Sequence, residues 1–253
     1  MAVVLEGGCR VSTMHEGEPR VSGSLKVWKQ IGKSSGAQAI SLRLLEFGPG
    51  TSPVLRNHSS DEVFYVLEGN CTVVIDGVAY EVGPETGVYV RPGQTLTVQN
   101  AGSDVVRFVS SQCPEETNDV GSVDPPASST SDLPPIMRLS DRRALPTADR
   151  WYRVLVDDEI GSEQVTQFVG SIPPGRAPDH FHEYEEVLFI LRGEGRMWAG
   201  DTNTPIGPGS CIYLPRRQVH CVQNTGSGEL RLLGVFYPAG SPAVRYETTA
   251  ERG

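Results

Sequence analysis

The stretch His180-Phe181-His182-Glu183-Tyr184-Glu185-Glu186, followed by His220, decides how this chain is read. It holds three of the five histidines in the chain. On a β-strand, residues i and i+2 face the same side ~6 to 7 Å apart, so His180 and His182 can meet on one ion. Glu186 would lie ~20 Å from His180 on a straight strand, so the chain has to turn between them to bring the carboxylate back. His220 must then come from a separate strand. Three imidazoles and a carboxylate are a donor set for one divalent transition metal.

Glycine and proline frame the set. Gly193 closes the first block, and Gly209, Pro215, His220 and Asn224 form a second. Together they resemble the two motifs of the cupin superfamily, HxHx3Ex6G and GxxxxxPxxxxHxxxN. One position departs from the pattern, because Arg217 stands where a glycine usually follows the proline by two residues. The residues alone leave two readings open, a metal site or a hydrogen-bonded polar cluster in a barrel core.

The chain also repeats itself. Sliding the sequence by 124 residues sets segment 56 to 107 on segment 180 to 231 without a gap. His58 then matches His182, Glu62 matches Glu186, Gly69 matches Gly193, Tyr89 matches Tyr213, and Val98-Gln99-Asn100 matches Val222-Gln223-Asn224. A period this long is too large for a solenoid unit and means two copies of one domain. The copies differ at the site, since Arg56 replaces His180 and Leu96 replaces His220. A guanidinium repels a cation, so the first copy is expected to lack metal. Its role is either structural or that of an Arg56-lined pocket for a small carboxylate or phosphate.

The expected architecture is all-β. Short runs rich in β-branched and aromatic residues, such as Leu25 to Ile31, Glu62 to Leu67 and Leu96 to Gln99, alternate with Gly, Pro, Asp and Asn. Asp76-Gly77 is suited to a tight type I′ hairpin turn. The expected division is an N-terminal barrel over 1–112, a linker rich in Pro, Ser and Asp over 113–135, and a C-terminal barrel over 136–253. A likeness between Cys9-Arg10-Val11-Ser12 and Met137-Arg138-Leu139-Ser140 predicts that each copy opens with an edge strand that covers the other barrel. The outcome would be an intramolecular barrel pair, with a homodimer as a further level of assembly.

Composition narrows the partners. A formal charge of −9 over 253 residues argues against nucleic acid or an anionic membrane surface. No apolar run approaches a membrane span and Met1 to Arg20 does not read as an export signal, so the expected location is cytoplasmic. Five cysteines without a CxxC spacing suggest neither a disulfide framework nor a zinc ribbon. Cys221 reads as a small core residue facing away from His220.

The resemblance implies a bicupin, with two tandem double-stranded β-helix (jelly-roll) barrels in one chain. It implies that His180, His182, Glu186 and His220 hold one divalent metal, iron foremost, with manganese, nickel, copper or zinc as alternatives. The motif does not fix the reaction. Four protein ligands leave two positions on a six-coordinate ion, which suits an iron-type dioxygenase acting on a small organic substrate. Isomerisation or hydrolysis of a carbonyl or sugar-like compound, non-catalytic capture of a small molecule, and a purely structural metal are the alternatives. Glu186 and Tyr184 are the candidate catalytic groups. Arg176, Arg216 and Arg217 could clamp an anionic substrate.

Overall fold

The strands Asp61–Glu68 and Glu185–Arg192 show why the two copies form a pair. Each is buried along nearly its whole length, as strands covered on both faces must be. Side chains alternate between two cores. Phe64 and Val66 point into the first barrel and Leu188 and Ile190 into the second, whereas Val63, Tyr65, Val187 and Phe189 join one shared core between the barrels. That shared core also takes Trp28, Ile31 and Tyr89 from the first half, and Leu155, Tyr213 and Leu233 from the second. Each fully buried side chain of this kind contributes ~1.5–3 kcal/mol, so parting the halves would be strongly unfavourable.

A computed structural model describes residues 1–116, 133–147, 149–243 and 246–247. Each barrel closes one large sheet on one small sheet, and all the strand pairs are antiparallel. Among the described residues the large sheets have seven strands in the first barrel and eight in the second. The hairpin expected at Asp76-Gly77 is present, with both residues at positive φ (46° and 85°) between the paired Ile75 and Val78. Gly69 and Gly193 also adopt positive φ, and at Gly193 a Cβ would come within 2.8 Å of the Leu230 Cα. These are the glycines that close the first motif in each copy.

The exchanged edge strands are real, with a correction to their register. Arg10–Thr13 pairs with Ser210–Leu214 of the second barrel, and Ile136–Arg138 pairs with Thr86–Val90 of the first. Thr13 lies opposite Ser210 and Arg138 opposite Thr86, so Arg138 corresponds to Thr13 and not to Arg10 as the sequence likeness suggested. The strands are matched by backbone pairing, which carries no sequence signature. Residues 1–112 therefore do not all belong to the first barrel, because the opening strands complete the second.

The predicted linker is also shorter at its ends. Cys113 finishes the strand Val106–Cys113, Glu115 pairs with Lys29, and Tyr89 N–H donates to the Pro135 carbonyl at 2.8 Å. The remainder, 117–132, lies outside the described residues. Polar clamps reinforce the barrel pair. Glu185 accepts from the Tyr213 hydroxyl and from the Gln38 and Ala39 N–H groups at 2.8 and 2.7 Å. In the mirrored arrangement Asp61 accepts from Tyr89, and Arg91 donates to the Ile160 carbonyl at 2.7 Å.

Two fragments cut within 117–132 and co-expressed, with an affinity tag on only one, should therefore co-purify in equal amounts. Each fragment made alone should aggregate or melt far below the intact chain, because each lacks an edge strand that the other carries. Two stable fragments that never associate would contradict this architecture.

Candidate metal centre

The four predicted ligands converge at the mouth of the second barrel. His180 lies on the two-residue strand His180–Phe181, directly opposite His220 at the start of His220–Asn224. The chain bends at Glu183 and Tyr184, which supplies the expected turn and returns Glu186 on the strand Glu185–Arg192. The three imidazoles stand 4.5 to 5.3 Å apart between ring centroids. One ligand atom from each lies within 4.8 Å of the others. Two nitrogens on one ion lie at most ~4.2 Å apart, so a slight inward turn of the rings closes the set. Glu186 lies beside this three-imidazole group, with Oε2 3.7 Å from His182 Nε2.

The surroundings prepare these groups for a cation. His180 Nδ1 donates to the Pro178 carbonyl at 2.9 Å, and His220 Nδ1 donates to the Gln218 carbonyl at 2.7 Å. A carbonyl can only accept, so Nδ1 carries the proton and the Nε2 lone pair is left for an ion. Burial, and then the neighbouring His180 and His182, hold the His220 pKa well below the ordinary histidine range. Burial pushes the Glu186 carboxyl up to about 8. A cation at the centre would offset that penalty, and the donor set fits a divalent metal.

The structure gives Tyr184 a different place from the one predicted. Its ring stacks on His182 at 4.7 Å and 10°, and on Phe236 at 4.2 Å and 14°, so it supports the imidazole from behind. It does not line the cavity in front of the ligands. Arg176, Arg216 and Arg217 do not line it either. Arg176 lies 4.2 Å over the Trp198 ring, donates to the Cys221 sulfur at 3.2 Å and pairs with Asp179. Cys221 is fully buried, as a core residue should be. Arg217 pairs with Glu183 at the surface and has φ 62°, so it adopts the left-handed conformation that glycine would otherwise supply. Its N–H donates to the His182 carbonyl at 2.7 Å, which explains why the turn is kept.

The cavity, about 100 Å³, contains one cation that the sequence reading missed. Arg150 lines it with a side chain only 12% exposed, beside Asp149. Trp151, Phe168, Ile172, Leu188, Val222 and Leu232 supply apolar walls. Arg150 pairs with Thr147 as Leu25 pairs with Ser22 in the first barrel, so it occupies the place of a core leucine. Comparing the copies beyond the gapless segment would have exposed that exchange.

In the first barrel the equivalent carboxylate, Glu62, is met by Arg43, whose Nε also donates to Ser110 Oγ at 3.2 Å. Arg43 lies opposite Ser110, whereas in the second barrel Phe168 lies opposite Gly234. The backbone N–H groups of His58, Ser59 and Ser60 donate to Glu116 at 3.0, 2.6 and 2.9 Å. Among the described residues no second cluster of metal-ligating side chains forms.

Comparison with known proteins agrees with this geometry. The Cupin domain family matches residues 43–111 and 168–236, together more than half of the chain. The chain belongs to the cupins and, with two such domains, is a bicupin. It is 31% identical over 86 residues to auxin-binding protein 1 of Arabidopsis thaliana, covering 30% of this chain and 43% of that protein. It is 34% identical over 67 residues to an oxalate-binding protein of Thermotoga maritima, covering 26% of this chain and 55% of that protein. The chain thus spans about half the length of the curated relatives it matches. A putative glyoxylate induced protein from Pseudomonas aeruginosa shares the fold at TM-score 0.74 and 18% identity, over 94% of this chain and 91% of that one. No helix among the described residues is long and apolar enough to cross a membrane.

Elemental analysis of the purified chain should find close to one divalent metal per molecule. The His182→Ala variant should lose it and His58→Ala should keep it. Because Glu186 is largely protonated at neutral pH before an ion arrives, metal binding at pH 7 should release about one proton. Calorimetry in buffers of different ionisation enthalpy checks this, and Glu186→Gln should abolish that release.

Proposed function

We propose that this bicupin is a metal-dependent dioxygenase that acts on a small anionic organic substrate in the second barrel. The observation that carries the reading is a three-imidazole, one-carboxylate set opening onto a small cavity whose wall presents a single guanidinium. A bound ion, iron foremost, would supply Lewis-acid and redox chemistry at positions not taken by protein ligands. His180, His182, Glu186 and His220 hold it. Arg150 receives the substrate's carboxylate or enolate oxygen in a charge-assisted fork, and its partial burial strengthens that contact. The Trp151 and Phe168 rings and the aliphatic wall exclude water from the organic part of the substrate.

Beyond the four ligands, the described lining holds no carboxylate, imidazole or amine to serve as a separate acid or base. That favours chemistry in which one centre positions both reactants, as oxygenation requires. The likeness to an oxalate-binding protein supports a small carboxylate as the substrate class. A second reading, redox-neutral isomerisation or hydrolysis of a carbonyl compound, draws on the Tyr152 hydroxyl in the same wall.

The test is oxygen uptake by iron-reconstituted protein across a panel of small hydroxy-, keto- and dicarboxylates. Uptake matched to substrate loss is expected, and His182→Ala should abolish it. Arg150→Gln should raise KM by about tenfold or more for carboxylates with a smaller effect on kcat. Turnover that proceeds equally under nitrogen would replace the dioxygenase with the redox-neutral reading. Binding without turnover would leave a non-catalytic small-molecule cupin.

A further inference from the structure

The first barrel keeps a cavity, open to solvent at its rim, where the second has its metal centre. It measures about 60 Å³, and a single water needs only ~10–15 Å³ measured this way, so it admits a ligand of several heavy atoms. Its charged lining consists of Arg20, Arg43, Arg56 and Glu62. Arg43 and Glu62 form a buried ion pair, with side chains 10% and 4% exposed. That pair is neutral. Arg20 and Arg56 are left over, and among the described residues neither has a carboxylate partner. The cavity therefore carries an excess of two positive charges in a protein whose formal charge is −9.

The rest of the lining includes four aliphatic side chains, Leu25, Val27, Leu45 and Leu55, of which Val27 lies opposite Arg20 on the paired strand and Leu55 adjoins Arg56. Gln112 donates to Asn57 Oδ1 at 3.4 Å, and the two add neutral polar atoms to the lining. Guanidinium forks set beside aliphatic side chains match a carboxylate on a short hydrocarbon chain. Inorganic phosphate would place polar oxygens against the leucines. Metal is disfavoured because Arg43 already supplies the cation that Glu62 requires and Leu96 replaces the third imidazole.

From this lining we infer that the N-terminal barrel is a second, metal-independent binding site for a small aliphatic monocarboxylate, held by Arg56 and Arg20. The inference concerns the other barrel and stands apart from the reaction assigned to the metal centre.

Isotope-labelled propionate, a weak chelator, serves as the probe and is titrated into the full-length metal-loaded protein by NMR. Saturable binding should persist in His182→Ala, which disables the second barrel's site. It should weaken by about tenfold or more in Arg56→Gln and in Arg20→Gln, and fade with added salt. Arg20 lies on an exposed edge strand, so its variant tests the site even if Arg56→Gln perturbs folding, and melting curves of both variants identify such a perturbation. Unchanged affinity in a folded Arg20→Gln and a folded Arg56→Gln, or loss of binding in His182→Ala, would overturn the inference. Tighter binding of inorganic phosphate than of propionate would overturn the assigned ligand class.

Discussion

A carboxyl group buried inside a β-barrel must find a counter-charge or keep its proton, and this chain buries one at the same place in each half. Glu62 is 3% exposed and Glu186 is 5% exposed. An isolated charge in such a setting costs several kcal/mol even after relaxation. The first barrel answers with a guanidinium from a neighbouring strand, fixed by Ser110. In the second, an aromatic ring takes that strand position, burial raises the Glu186 pKa so that the carboxyl keeps its proton, and three imidazoles stand beside it where a cation would supply the missing charge. One demand, met in two ways, separates a barrel suited to cations from a barrel suited to anions.

The scaffold keeps both arrangements in register. Strands that face the shared core on one side and their own barrel on the other cannot shift by a residue without exchanging their two sets of side chains. Glu185, bonded to Tyr213, is clamped by the Gln38 and Ala39 N–H groups of the opposite half, and Arg91, beside the Tyr89–Asp61 pair, reaches across to the Ile160 carbonyl. Glu185 and Glu186 are neighbours, so one strand carries the inter-barrel clamp and the metal-centre carboxylate on opposite faces. Packing between the barrels thereby helps set the position of the ligand.

Much of this was legible in the sequence for physical reasons. The HxH spacing, the return of Glu186 and the turn glycines are local constraints, and a gapless repeat preserves them. Arg43 and Arg150 were not legible, because both lie before residue 56 or 180, where the two copies fall out of step by one residue. In the structure Arg43 corresponds to Phe168 and Arg150 to Leu25, pairs that a fixed shift of 124 does not align. Tyr184 was misplaced because its position within the motif gives no direction for the ring in a bend. Aromatic stacking with His182 and Phe236 decides that direction, and it depends on a residue far along the chain.

The exchanged strands also order the events of synthesis. Residues 10–13 leave the ribosome about 200 residues before their partners at 210–213, so at ~5–20 residues per second they wait roughly 10 to 40 s. The strand Thr86–Val90 of the first barrel waits for 136–138. Until then the nascent chain presents unpaired sheet edges of the kind that invite association with other chains. The first barrel has its full set of described strands once residues 136–138 emerge, whereas the half that holds the metal-centre residues is sealed by a segment made about 200 residues earlier.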